Sequence, residues 1–261
     1  MEPGGRGADL SRPPRKRRFA VLDCEDREKW TGHERYWIEP LRRDGQDWRS
    51  YRVWAGEMPA DLDSLDGAVV TGSHHSVLDD SLPWLEPLLS FLRAAAGGPS
   101  GPRVVGACFG AQALALAFGG RVGANPQGRF VFGAEQIALR PGFAARFAAD
   151  DGAPGASISL LESHAECVLE LPPGADLLGQ SGSAANEIFA LGGRALALQG
   201  HPELPRQAMV EKILPGLRES GRLDADGEAA ALCSMERELD DRLVMGLIGR
   251  FLDGTGDPGP A

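Results

Sequence analysis

The sequence predicts an α/β fold, an open and mainly parallel sheet with helices covering both faces. Two observations carry this. Short uninterrupted apolar runs, such as 19–22 and 195–198, have the composition of strands buried on both sides. These runs alternate with helix-length segments whose apolar residues recur at three- and four-residue steps, the pattern of a sheet wound by crossover helices. A hydrophobic content of 43% with 25% charged residues is that of a globular chain with enough material for a core.

In order along the chain, residues 1–18 are rich in Gly, Pro and Arg without an apolar period, and read as a flexible tail. Its cluster Arg15-Lys16-Arg17-Arg18 reads as a solvated basic tail, in preference to a nuclear address or a nucleic-acid contact. The first strand is expected at 19–22, a second at 51–54 where apolar and polar residues alternate, and a third at 66–72, ending in a Gly-rich loop. A helix follows over 83–96, with Trp84, Leu85, Leu88, Leu89 and Leu92 on one side and Pro83 suited to its first turn. A fourth strand at 103–106 runs into a helix at 109–118 that Gly119-Gly120 ends. Strands are then expected around 130–132, 136–139, 177–179, 187–190 and 195–199. Beyond Pro205 two helices are expected. The second carries Leu232, Met235, Leu239, Leu243, Leu247 and Phe251 on one apolar face, which docks on the core.

Several functional classes are disfavoured. With 27 basic against 37 acidic residues the net charge is −10, opposite to what binding a phosphate backbone requires. No apolar run approaches the roughly 20 residues that span a bilayer, and residues 1–18 lack the apolar segment of a secretory signal. Cys24, Cys108, Cys167 and Cys233 lie far apart and form no CxxC pair, so neither a disulfide framework nor a zinc knuckle is expected. The expected setting is the cytosol, with nuclear entry through the basic tail left open.

The most informative segment is Val104-Val105-Gly106-Ala107-Cys108-Phe109-Gly110-Ala111-Gln112. A buried strand runs directly into a helix, Cys108 stands at the joint, and a glycine lies two residues to either side. That is what a nucleophile elbow requires: a turn too tight for flanking side chains, thrusting the nucleophile out at the sheet edge. The helix N-terminus favours a thiolate, and the Phe109 amide can donate to an oxyanion. A thiolate nucleophile needs a base with an orienting acid. His201 follows the strand ending at Gly200, so it reaches the same sheet edge as Cys108, and Glu203 comes two residues later across Pro202. The loop Thr71-Gly72-Ser73-His74-His75-Ser76 offers a second oxyanion donor. The adjacent His74 and His75 are read as loop polarity or substrate contact; no acidic or cysteine ligands accompany them in sequence, so no metal is expected.

With Gly-Ala-Cys-Phe-Gly-Ala-Gln (106–112) and Gln-Gly-His-Pro-Glu (199–203) in hand, the sequence resembles the class I glutamine amidotransferase superfamily. The resemblance implies a flavodoxin-like sheet with a small antiparallel strand addition. It implies a triad of Cys108, His201 and Glu203, and oxyanion amides at Gly72, Ser73 and Phe109. Gln112 and His164 are assigned to substrate contact. Glu25-Asp26, Trp48, 56–59, 171–175 and the helical extension after His201 look like the stand-alone plant γ-glutamyl peptidases. Where that pattern often has His, Asp and a charged residue, this chain has Ala111, Glu166 and Cys167. The implied organisation is a tail (1–18), a catalytic domain (19–210), a C-terminal helical extension (211–254) and a second tail (255–261).

The implied activity is hydrolysis of γ-glutamyl amides, small molecules such as glutathione, its conjugates or γ-glutamyl peptides, without a cofactor. A glutaminase delivering ammonia to a partner synthetase is the alternative. No Gly-x-x-x-x-Gly-Lys-Ser/Thr loop is present, and none of Lys16, Lys29 and Lys212 follows a glycine, so nothing indicates ATP chemistry within the chain. A non-catalytic redox sensor built on the elbow cysteine is disfavoured by the presence of His201 and Glu203.

Overall fold

The apolar runs of the sequence become the inner strands of one large sheet. The computed structural model describes residues 15–98, 100–147 and 155–255. In chain order the strands are β1 (Arg17–Asp23), β2 (Gln46–Arg52), β3 (Gly67–Val70), β4 (Arg103–Ala107), β5 (Arg121–Ala124), β6 (Val131–Leu139), β7 (Ser157–His164), β8 (Glu166–Glu170), β9 (Ala175–Gln180), β10 (Ile188–Leu191) and β11 (Ala195–Leu198). The helices are α1 (Arg35–Leu41), α2 (Leu85–Ala96), α3 (Phe109–Ala117), α4 (Pro141–Phe147), α5 (Arg206–Ala208), α6 (Leu214–Glu219), α7 (Ala225–Ser234) and α8 (Asp241–Asp253).

Among the described residues the main sheet has nine strands in the order β2-β1-β3-β4-β11-β10-β9-β6-β7. From β2 to β11 every pairing is parallel. From β11 to β7 every pairing is antiparallel, so the antiparallel addition has four strands, and β5 and β8 form a further two-stranded ribbon. Strand alternation sorts the core onto two faces. Phe19 and Val21 of β1 pack with Val69, Val105 and the α8 residues Ile248 and Phe251. Ala20 and Leu22 pack on the other face with Val70, Leu88 of α2 and Leu114 of α3.

The structure differs from the sequence reading at several places. β1 begins at Arg17 rather than Phe19, because Arg17 meets Asp253 at 2.6 Å and pairs with β2, while Arg15 meets Asp66 at 3.1 Å. Within the basic cluster Arg15 and Arg17 are thus paired with acids, while Lys16 and Arg18 stand exposed to solvent as expected; residues 1–14 and 256–261 of the two expected tails lie outside the described residues. The second strand is β2, and Val53–Ala55 is a 3-10 turn that Gly56 closes at φ 80°. The expected strands at 130–132 and 136–139 are one strand, β6. Gly133 does not interrupt it; its bare face admits Ser234, whose hydroxyl accepts from the Ala134 amide at 2.8 Å.

The long apolar face in the C-terminal region is two helices. The chain breaks after Ser234, so Leu232, Met235 and Leu239 pack in a satellite cluster with Trp30 and Leu217. Leu243, Leu247 and Phe251 of α8 instead join the main core. The expected 210/211 boundary falls within a π-helical turn, Met209–Ile213, that joins α5 to α6. Among the described residues no helix is long and apolar enough to cross a membrane.

Because β1, β3, β4 and β11 run in one direction, the segments after them collect at one edge: 24–26, 71–76, Cys108 and 199–203. This is where open α/β sheets hold ligands.

Candidate active site

The turn from β4 to α3 is closed by direct backbone contact. A Cβ on Gly106 would lie 2.4 Å from the Gly110 carbonyl carbon, and one on Gly110 would lie 2.4 Å from the Val70 oxygen. Only glycine fits at either position. Cys108 between them has φ 50° and ψ −106°, the one positive φ outside glycine among the described residues. Such a backbone costs about 1–3 kcal/mol. It is held by the Cys108 amide donating to Leu198 O at 2.8 Å and the Gln112 amide donating to Cys108 O at 3.0 Å. The strain presents the sulfur to a cavity of about 420 Å³, which Cys108, His201, Glu203, Gly72, Ser73 and Phe109 line together.

His201 is fixed on the neighbouring strand end, its amide donating to Leu161 O at 2.8 Å. Its Nδ1 lies 2.9 Å from Glu203 Oε1, both side chains being almost fully buried. Burial alone would lower the imidazole pKa, but Glu203 and then the Cys108 sulfur outweigh it and raise it well above 6.5. The ring lies between a carboxylate and a sulfur, both of which favour its protonated form.

The loop after β3 supplies amides. Among the described residues neither the Gly72 nor the Ser73 amide donates to another protein group, and Phe109, first in its helix, has no intrahelical acceptor. The loop is clamped by the segment after β1. Glu25 accepts from the His74 amide and lies 2.8 Å from His74 Nδ1, while the Ser73 hydroxyl donates to Cys24 O at 2.7 Å. Glu25 entered the sequence reading only through resemblance; its place directly after a parallel strand was the signal that it faces the site.

Gln112 and His164 also line the cavity, but each is bonded to protein. Gln112 Nε2 donates to Glu166 O at 2.9 Å and to Gln199 Oε1 at 3.1 Å. His164 Nδ1 lies 3.1 Å from the same Glu166 carbonyl. Burial, then the charge on His201, lowers the His164 pKa to about 4, so its ring is neutral. Nδ1 must carry the proton that the carbonyl accepts, and Nε2 is a lone pair facing Glu162 Oε2 at 3.5 Å. An ionised Glu162 would oppose lone pair to lone pair there. Burial and then Glu187 hold the Glu162 pKa well above the usual carboxylate range, the direction that relieves this opposition. Nothing in the sequence marked Glu162.

The other cysteines lack this setting. Burial, then the carboxylates of Asp23 and Glu25, raises the Cys24 thiol, and burial and Glu187 raise Cys167 to about 11. Cys233 is exposed. His74 and His75, which had no acidic partner in sequence, gain one through the fold: their ligand-capable nitrogens and an oxygen of Asp26 lie within 4.8 Å of one another. Both rings already engage carboxylates, His75 Nε2 lying 3.3 Å from Asp26.

No family model matches the chain. γ-Glutamyl peptidase 5 of Arabidopsis thaliana is 29% identical over 257 residues, 93% of this chain and 98% of that protein. A putative glutamine amidotransferase of Saccharomyces cerevisiae is 34% identical over 142 residues, 54% of each. A glutamine amidotransferase of Thermotoga maritima, known from its crystal structure, superposes with a TM-score of 0.69 at 17% identity, covering 92% of this chain and 97% of that one. That likeness shows the shared α/β fold. The relatives carry the resemblance in sequence, to glutamine amidotransferase-like proteins and among them to plant γ-glutamyl peptidases.

Proposed function

We propose that the protein hydrolyses γ-glutamyl amide bonds through a γ-glutamyl thioester on Cys108. The observation that carries this reading is the strained cysteine facing one cavity with the His201–Glu203 pair, in a chain resembling γ-glutamyl peptidases over nearly its whole length. The sulfur adds to the γ-carbonyl carbon, and the negative oxygen is received by the amides of Gly72, Ser73 and Phe109. His201 gives its proton to the departing nitrogen, the carbon–nitrogen bond breaks, and an amine leaves. Water then loses a proton to His201 and attacks the thioester, releasing glutamate and restoring free Cys108 beside His201. Glu203 holds the ring in place through both steps. Gln112 and His164 hold the Glu166 peptide that walls the γ-glutamyl end.

The test is a panel of glutamine, glutathione, a glutathione S-conjugate and γ-glutamyl dipeptides, run with native protein and Cys108→Ser. Release of glutamate and free amine by the native protein, lost by a factor of at least about 10³ in the variant, supports the reading. Equal rates in both would remove Cys108 from the chemistry. Turnover of glutamine alone, and only with a synthetase added, would replace the peptidase by an ammonia-delivering glutaminase.

A further inference from the structure

Half of the cavity takes no part in the chemistry above. On one flank of Cys108 lie Gln112, His164 and the Glu166 peptide, bonded to one another. On the other flank the His201–Glu203 arm meets a different wall. Leu204, directly after Glu203, packs in one apolar cluster with Trp30 and Leu217, and the charge of Glu203 acts on His33. The segment after β1 and the region of α6 build this wall, with Trp30, Phe130 and Leu217 as its apolar floor.

Cations crown that floor. The Arg222 guanidinium stands 5.8 Å from the Phe130 ring centre, and Lys212 Nζ stands 4.9 Å from that of Trp30. Lys212 Nζ donates to Lys29 O at 2.7 Å and Lys29 Nζ donates to Lys212 O at 2.5 Å, which pins the two helical turns of the rim together. Burial, then the neighbouring Arg27, lowers the Lys29 pKa against the opposing charges of Glu25 and Glu219. Arg27, Lys29 and Arg222 all line the cavity, and among the described residues none makes an ion pair with a carboxylate. Nearby Arg218, outside the cavity, is paired with Glu228. In a chain of net charge −10, this rim sets three cations over an apolar floor, across the cavity's lining from Glu25 and Glu203.

We propose that this wall is the subsite for the amine half of the substrate and selects amines that carry a free carboxylate. The preferred substrates are then γ-glutamyl peptides with an open C-terminus, over glutamine and over γ-glutamyl amides of neutral amines. The inference rests on the reaction assigned above, because the proton from His201 goes to the departing nitrogen and so places that half of the substrate beside the His201–Glu203 arm. Glutamine has only ammonia to place there. A peptide places its side chain on Trp30 and Phe130 and its carboxylate against the Arg222 fork, a planar match for two parallel hydrogen bonds.

The experiment compares γ-glutamyl-cysteinyl-glycine with its C-terminal carboxamide, in kcat/KM for the native protein and in calorimetric affinity for Cys108→Ser. The free acid should be favoured by about tenfold in both measurements, and the preference should shrink as salt is added. Arg222→Gln, alone and with Lys29→Gln, should bring the ratio toward one, and Arg222→Glu should reverse it. Equal handling of acid and amide by the native protein, or an unchanged ratio in the double variant, would overturn the subsite. A binding preference for the acid without turnover of either compound would keep the subsite and overturn the hydrolysis. Turnover of both without preference would do the reverse.

Discussion

Gly72 and His201 are in contact: a Cβ placed on Gly72 would lie 2.9 Å from His201 Cε1. In the proposed mechanism one residue thus supplies an oxyanion amide as well as the flat surface on which the imidazole rests. The ring cannot retreat, since Glu203 holds Nδ1 and Leu161 holds the backbone. Gly72→Ala should displace the imidazole from Cys108 and lower kcat by about 10²-fold, as a misplacement approaching an ångström does elsewhere. The melting temperature should move by only a few degrees, because the loop lies at the surface of the core rather than within it. Steady-state kinetics beside thermal unfolding separates the two effects; a fully active alanine variant would show that the ring has room.

The raised pKa of His201 sets the direction of two pH effects. In the proposed mechanism the imidazolium is the acid that protonates the leaving amine, so kcat/KM falls as pH rises through the folded pKa. In Glu203→Gln burial still depresses the ring while the larger raising charge is gone. The alkaline limb should therefore move to lower pH, with a loss of about 10²-fold at neutral pH. Linkage gives the second effect. A histidine raised on folding contributes stability fully below its unfolded value near 6.5 and loses it as pH rises through the folded value. Glu203→Gln should thus destabilise the protein more at pH 6 than at pH 10. An unmoved alkaline limb would mean that another group titrates there.

A layer of buried acid lies close to Cys108 and His201. Glu162 and Glu187 are both fully buried; the Gly200 amide donates to Glu187 at 2.9 Å, and both oxygens of Glu162 lack a hydrogen-bond partner of ordinary geometry. Burial raises Glu187 to about 7 and also lifts Glu162 well above its ordinary value. An acid whose pKa rises on folding is a liability above its unfolded value of 4.5: stability falls as pH climbs from there through the folded pKa. Glu162→Gln keeps the shape and the neutral state without that liability. The variant should gain at least about 1 kcal/mol, or 2–4 °C, at pH 8 and little at pH 4.5. Differential unfolding curves at the two pH values decide it; a loss of stability at pH 8 would mean that the native group is ionised.

The elbow and the His-Pro-Glu segment were legible because each is contiguous and demands particular residues. Gly106 and Gly110 face backbone at 2.4 Å, and such a constraint leaves a trace in sequence. The parallel strands were legible for the same local reason, since burial on both faces forces unbroken apolar runs. What was not legible is assembled across the chain. The Glu162 pKa is raised because the fold buries the group completely and sets Glu187, Glu135 and the Cys108 sulfur around it. The cationic wall joins residues near 30 with residues near 220. The apolar period from Leu232 to Phe251 is real, but period alone does not reveal that the chain turns after Ser234 and serves two clusters.

That division makes α8 part of the main core. Phe251 is completely buried among residues of β1, β3 and β4. Its carbonyl accepts from Arg103 at 2.8 Å, and Asp253 at the end of α8 holds Arg17 of β1 at 2.6 Å. A Cβ on Gly67 of β3 would already lie 3.0 Å from Leu252 Cδ2, so helix and sheet leave no slack. Phe251→Ala should therefore cost about 3–5 kcal/mol of stability through the lost burial and the void left behind. The kcat/KM of the folded protein should be unchanged, because Phe251 lies on the sheet face opposite to α3 and Cys108. Denaturant unfolding gives the first quantity and kinetics well below the melting temperature the second. A loss under about 1 kcal/mol would show that the helix is a loosely docked appendage whose removal the sheet tolerates.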